Sequence, residues 1–175
     1  RRSGGGITLS GGEVLCQADF ARELLRECKE NGLHTAIESA ASTKFSEIEK
    51  LLPYLDMYLM DIKHMDSKKH EEFIGKPNTL VLENAVKIAE KANNLVIRVP
   101  VIPTFNDTPE EIGAIAEFAA SLDNVKKMHI LPYHRLGVDK YKGVGREYAL
   151  SEIVPPDDGK MAQLKRAAER FGIEC

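Results

Sequence analysis

The sequence predicts an α/β protein in which parallel strands alternate with helices, and two observations carry that expectation. Short apolar runs alternate with amphipathic stretches of helical period along the 175 residues. Polar residues fall repeatedly just after an apolar run, at the strand ends where parallel α/β folds gather ligand-binding groups. A chain of this length fills one core and is too short for two ordinary domains, so residues 1–175 read as a single domain.

The elements follow in order. Ile7 to Ser10 is an apolar strand, and in the helix after it Phe20, Leu24, Leu25 and Cys28 line one face before Gly32 stops it. Thr35 to Glu38 reads as the second strand, followed by a helix over about 44–52 ended by Pro53, and Met57 to Ile62 as the third. Asp66 can cap a short helix ending near Gly75, and Leu82, Ala85, Val86, Ala89 and Ala92 mark a longer one. Leu95 to Ile102 forms the fourth strand. Thr108-Pro109-Glu110-Glu111 then places a capping Thr, a proline in the first turn and a Glu three residues on, with Ile112, Ile115, Ala116 and Ala119 as the apolar stripe. Val125 to Leu131 is the fifth strand, and the last helix runs from about Asp158 with Met161, Leu164, Ala168 and Phe171 on one face. This order predicts right-handed βαβ units and a parallel sheet, either open and doubly wound or an arc of a (β/α) barrel. Periodicity does not separate the two.

Bulk properties exclude several functions. Lys and Arg number 24 against 27 Asp and Glu, a net charge of -3, which leaves no electrostatic footprint for nucleic acid. No apolar stretch approaches the roughly 20 residues of a membrane-spanning helix, and the opening Arg1-Arg2-Ser3-Gly4 lacks the apolar segment of a signal peptide. A cytoplasmic location is expected. Cys16, Cys28 and Cys175 form no CxxC or CxxxC pair, so neither a disulfide framework nor a metal or cluster site is expected among these residues.

The candidate site residues cluster at strand ends. Ser10-Gly11-Gly12-Glu13 pairs glycines, which let a ligand approach the backbone, with a carboxylate that can accept from a cationic amine. Glu38 and Ser39 end the second strand. Asp61 and Lys63, two residues apart, project to one side and offer opposite charges to a zwitterion. Arg98 interrupts an apolar strand, where a guanidinium must reach a carboxylate or a wet mouth. His134 adds an imidazole after the fifth strand. Strand-end glycines also serve phosphate sites, so a barrel that binds a phosphorylated metabolite fits the same residues.

Four segments in order resemble one family. They are Gly4-Gly5-Gly6-Ile7-Thr8-Leu9-Ser10-Gly11-Gly12-Glu13, Tyr58-Leu59-Met60-Asp61-Ile62-Lys63-His64, Val101-Ile102-Pro103-Thr104-Phe105-Asn106-Asp107, and Leu131-Pro132-Tyr133-His134-Arg135-Leu136-Gly137 followed by Lys140-Tyr141. Together they resemble the pyruvate formate-lyase activating enzyme family, the glycyl-radical-enzyme activases of the radical S-adenosylmethionine superfamily.

The resemblance implies a partial (β/α) barrel of the radical S-adenosylmethionine type. It places Gly11, Gly12 and Glu13 where the family binds the methionyl amino group. Glu38, Ser39, Asp61, Lys63 and His134 would meet the methionyl carboxylate, the ribose or a nearby monovalent cation, and Arg98 fits the same pocket. It further implies a 4Fe-4S cluster that reduces S-adenosylmethionine, a radical that takes a hydrogen atom from a backbone glycine of a partner such as pyruvate formate-lyase, and a flavodoxin or ferredoxin as electron donor. The family's CxxxCxxC loop precedes the glycine run that opens this chain, so a first strand and the cluster loop are expected upstream of Arg1, and the stretch 1–175 alone is expected to be inactive. A module that binds S-adenosylmethionine or a partner without redox chemistry is the competing reading. Val14 stands where relatives have Pro, and Glu38-Ser39 where they commonly have Asp-Thr.

Overall fold

The computed structural model describes residues 5–135, 141, 143, 145, 147, 148 and 150–175. Arg1 to Gly4, Leu136, Gly137 and Lys140 lie outside the described residues.

Five strands form one parallel sheet: β1 (Gly6–Leu9), β2 (His34–Ser39), β3 (Met57–Asp61), β4 (Leu95–Val101) and β5 (Lys127–Pro132). Their spatial order is their chain order. A doubly wound sheet reverses direction at a switch point, whereas this sheet only advances, so the arc of a barrel is the correct alternative. Right-handed crossovers in that order put every helix on the same face. The connecting helices are α1 (Ala18–Glu30), α2 (Phe45–Glu49), α3 (Ser67–Ile74), α4 (Thr79–Lys91) and α5 (Pro109–Ser121), with α6 (Asp158–Glu169) after β5.

Alternation along each strand divides the sheet into two faces. Ile37, Tyr58, Met60, Ile62, Ile97, Val99 and Met128 point to the helices and form the core with Leu25, Ile48, Ile88, Ile112, Ile115 and Leu164. Ala36, Glu38, Leu59, Asp61, Val96 and Arg98 point the other way, and none belongs to that core. They line the inside of the arc. Register fixes their spacing: Glu38 is level with Leu59, and Asp61 with Arg98.

Local chemistry sets the helix ends. Asp66 caps α3 by accepting from the Lys68 and Lys69 N–H groups, and Gly75 closes it at φ 82. Thr108 caps α5 through the Glu111 N–H, and Asp157 caps α6 through Lys160 N–H. At the opposite, N-terminal end of the strands, Asp56 joins α1 to β2 through Lys29 Nζ (2.7 Å) and the Thr35 N–H (2.9 Å).

The structure corrects three helical details. Phe20 is 66% exposed, because the buried stripe of α1 is Ala18, Ala21 and Leu25, with Cys28 half-buried. On α4 the buried face is Val81, Ala85, Ile88 and Ala89, which turns Val86 to solvent. Pro53 does not end a long helix: α2 stops at Glu49, and Pro53 sits in the first turn of a 3-10 segment, Leu52–Tyr54, where its missing N–H costs nothing.

Candidate functional site

The turn after β1 is built around Gly11, whose φ of 145 few side-chain-bearing residues adopt. A methyl group on Gly11 or Gly12 would meet no heavy atom within 4 Å, so the backbone there faces open space. Glu13 follows and caps the 3-10 segment Val14–Gln17. Its Oε1 accepts from the Leu15 N–H (3.1 Å) and the Ser39 hydroxyl (2.7 Å), and its Oε2 from the Ala40 N–H (3.2 Å). One carboxylate therefore ties the glycine turn to the end of β2.

A row of charge crosses the inside of the arc from this turn. Glu38 accepts from the Ser10 hydroxyl (2.9 Å) and pairs with the Arg98 guanidinium (2.5 Å). Arg98 Nε lies 3.2 Å from Asp61 Oδ1, and Asp61 Oδ2 lies 4.0 Å from Lys63 Nζ. Asp61 Oδ1 and Arg98 Nε are buried atoms too poorly aligned to bond each other, and neither has another hydrogen-bond partner among the described residues. Burial raises the Asp61 carboxyl above the usual carboxylate range, and Lys63 and Arg98 offset only part of that rise.

One cavity of about 260 Å³ gathers Gly11, Gly12, Glu13, Glu38, Ser39, Asp61, Lys63 and Arg98. Of the residues expected from the sequence, only His134 lies elsewhere. It lines a second cavity of about 360 Å³ with Tyr133, Pro100 and Ile102, and Arg98 borders both. A cavity of about 410 Å³ between β5 and α6 contains none of these residues and few converging polar groups. Three carboxylates facing two cations disfavour a phosphate dianion and suit a ligand that carries a sulfonium, an ammonium and a carboxylate, one net positive charge.

Several residues that shape the site were not singled out by sequence. Asn106 is fully buried and donates to the Lys63 and Pro100 carbonyls. Asn84 donates to Ala41 O (2.7 Å) and Thr43 O (2.8 Å), fixing the loop after β2. His64 is buried beside Glu111, with Nδ1 to Oε1 at 3.1 Å, and burial lowers its pKa despite the carboxylate. The signal was faint: an Asn in a loop reads as a turn former, and its long-range partners are backbone carbonyls common to every sequence.

Residues 1–119 match the Radical SAM superfamily. The chain is 42% identical over 173 residues to the pyruvate formate-lyase-activating enzyme of Staphylococcus epidermidis, covering 94% of this chain and 68% of that protein. It is 43% identical over 175 residues to the enzyme of the same name from Staphylococcus aureus, covering 97% of this chain and 68% of that one. The crystal structure of a domain of pyruvate-formate lyase-activating enzyme from Bacteroides vulgatus superposes with a TM-score of 0.80 at 27% identity, covering 97% of this chain and 96% of that one. The chain belongs to the radical SAM superfamily and, within it, to the pyruvate formate-lyase-activating enzyme family.

Proposed function

We propose that the chain is the S-adenosylmethionine-binding part of a glycyl-radical-enzyme activase, a radical S-adenosylmethionine oxidoreductase whose partner is a glycyl-radical enzyme of the pyruvate formate-lyase kind, and that residues 1–175 alone are inactive. The observation that carries this reading is the buried, incompletely bonded pair of Asp61 and Arg98 at the centre of the cavity that gathers the strand-end residues. Such atoms, held in place but not bonded, are suited to a polar ligand.

S-adenosylmethionine, if bound here, would supply the radical chemistry, with a 4Fe-4S cluster as its reductant. The residues of this chain bind and orient it. The open backbone of Gly11 and Gly12 lets an ammonium approach closely, and Glu38 and Asp61 supply negative charge beside it. Arg98 and Lys63 offer cations to the methionyl carboxylate. Tyr133 and His134, across Arg98 in the second cavity, suit the adenosine. Glu13 and Ser39 hold the turn that does the binding.

The described residues do not fit the cluster. No three His, Cys, Asp or Glu side chains among them stand together as metal ligands, and Cys16, Cys28 and Cys175 lie on separate elements. No step of electron delivery is assigned to them. A flavodoxin or ferredoxin suits the role of donor, and a cytoplasmic location accords with such a partner. No helix among the described residues is long and apolar enough to cross a membrane, and the net charge of -3 disfavours nucleic acid.

The test is calorimetry with S-adenosylmethionine on a cluster-loaded protein that joins residues 1–175 to a CxxxCxxC segment, followed by paramagnetic resonance after mixing with pyruvate formate-lyase and a reductant. Saturable binding that Arg98→Ala weakens about tenfold or more is expected, with a glycyl-radical signal on the partner. Absence of binding overturns the reading. Binding without a signal on pyruvate formate-lyase moves the partner to another glycyl-radical enzyme.

A further inference from the structure

The backbone between β3 and β4 comes apart at the cavity. Asp61 and Arg98 are in register, and the ladder continues to the Ile62 N–H, which donates to Arg98 O (3.0 Å). At the next step β4 presents Pro100, which has no N–H to donate. The two strands lose their mutual hold where Lys63 leaves β3 to line the cavity.

Asn106 replaces the missing ladder. The chain folds back after β4 so that the Asn106 N–H reaches Ile102 O (3.2 Å), and the turn includes Thr104 at φ 73, a left-handed value that a β-branched residue seldom adopts. The fully buried carboxamide then uses both its donors and its acceptor oxygen across the gap. Its Nδ2 donates to Lys63 O (2.7 Å) and Pro100 O (3.0 Å), and its Oδ1 accepts from the Ile102 N–H (2.7 Å). No other side chain of that size supplies two donors and an acceptor from one planar group. The residues after Lys63 are held independently: Asn78 Nδ2 donates to His64 O (2.9 Å) and Met65 O (2.7 Å), and the Met65 N–H donates to Glu111 (2.6 Å). That leaves Lys63 itself to Asn106.

We propose that Asn106 is a positioning residue for ligand binding, acting through Lys63 by fixing its backbone against β4 and so setting the distance between the Lys63 and Arg98 cations. The inference rests on the reading of the cavity as the S-adenosylmethionine site.

A thermodynamic cycle tests it in the same cluster-loaded protein that joins residues 1–175 to a CxxxCxxC segment, with S-adenosylmethionine as the calorimetric probe and thermal melting alongside. Asn106→Ala is expected to weaken binding about tenfold, and in a Lys63→Ala background to add less than about twofold. A general loosening of the fold would weaken both backgrounds equally, and that result overturns the proposal, as does unchanged affinity in Asn106→Ala. If Lys63→Ala itself binds as tightly as the parent, the assignment of Lys63 to the site fails first and the proposal fails with it. Should Asn106→Ala not fold, the near-isosteric Asn106→Asp carries the same cycle. It keeps the acceptor for Ile102 and loses both donors, and its affinity relative to the parent at the same pH should recover on mild acidification, when the buried carboxyl takes up a proton and can donate to one carbonyl. Affinity that does not recover counts against the proposal.

Discussion

Arg98 and Asp61 stand level on neighbouring strands, with Nε and Oδ1 3.2 Å apart and neither atom hydrogen-bonded among the described residues. Their side chains are 16% and 20% exposed, so both charges have lost most of their water without a full return from each other. A pair arranged in this way serves a ligand better than it serves the fold.

Asp61→Asn should therefore separate stability from function. Burial raises the folded-state pKa of Asp61, so the ionised carboxylate costs stability at neutral pH, a cost relieved as pH falls through the folded value. Removing the charge is expected to leave the melting temperature unchanged or raise it by roughly 2 °C, while affinity for S-adenosylmethionine falls about tenfold. Calorimetric melting and titration on the same sample check both halves. Glu13→Gln should behave differently and lose about 1 kcal/mol of stability along with affinity, because one of its two clamping oxygens becomes a donor facing donors.

Asp56 gives the opposite pH signature at the far end of the strands. A hydrogen bond from Lys29, then one from the Thr35 N–H, hold its carboxyl at about 2. Stability from this group is complete above its unfolded value of about 4 and is lost as pH falls from there towards about 2. The Asp56 and Lys29 side chains are 32% and 36% exposed, so solvent screens the pair, and Asp56→Asn is expected to cost about 1 kcal/mol at neutral pH. Urea titrations at neutral pH and near pH 2 should show that difference shrinking towards zero in acid. A constant difference would show that the carboxylate's charge is not the cause.

Two glycines near the turn should respond unequally to a methyl group. A Cβ on Gly6 would lie 2.0 Å from the His34 carbonyl oxygen, in backbone that can yield only by parting β1 from β2. Gly12 has open space around it. Gly6→Ala is expected to cost about 1–3 kcal/mol, and Gly12→Ala only a few tenths, on thermal or urea unfolding. Gly12→Ala should nevertheless weaken S-adenosylmethionine binding, because Gly12 lines the cavity and a methyl group would cover backbone that is open there.

Sequence patterning revealed the order of elements because apolar runs and caps are local. Thr108 and Asp66 announce their helices within four residues, and both caps form. Which way each helix turns was harder to read. On α1 the buried stripe is carried partly by Ala18 and Ala21, small residues that a search for large apolar side chains passes over in favour of Phe20. Arg98 was legible as a site residue because a guanidinium in an apolar strand demands an explanation. Asn106 was not, since its meaning depends on a carbonyl 43 residues away. The choice between an arc and a doubly wound sheet rests on strand order, which no local pattern encodes.

Glu38 reaches from the Ser10 hydroxyl beside β1 to the guanidinium on β4, fastening together side chains from strands that are not neighbours. The rotamers facing the cavity are thereby chosen when the sheet assembles. A ligand arriving there meets charges already in position, and the entropy of arranging them has been surrendered during folding rather than during binding. Discrimination between similar ligands then falls to the contours of a rigid wall. A substitution at Ser10, whose hydroxyl holds one end of the Glu38 carboxylate, would blur that discrimination by freeing that end.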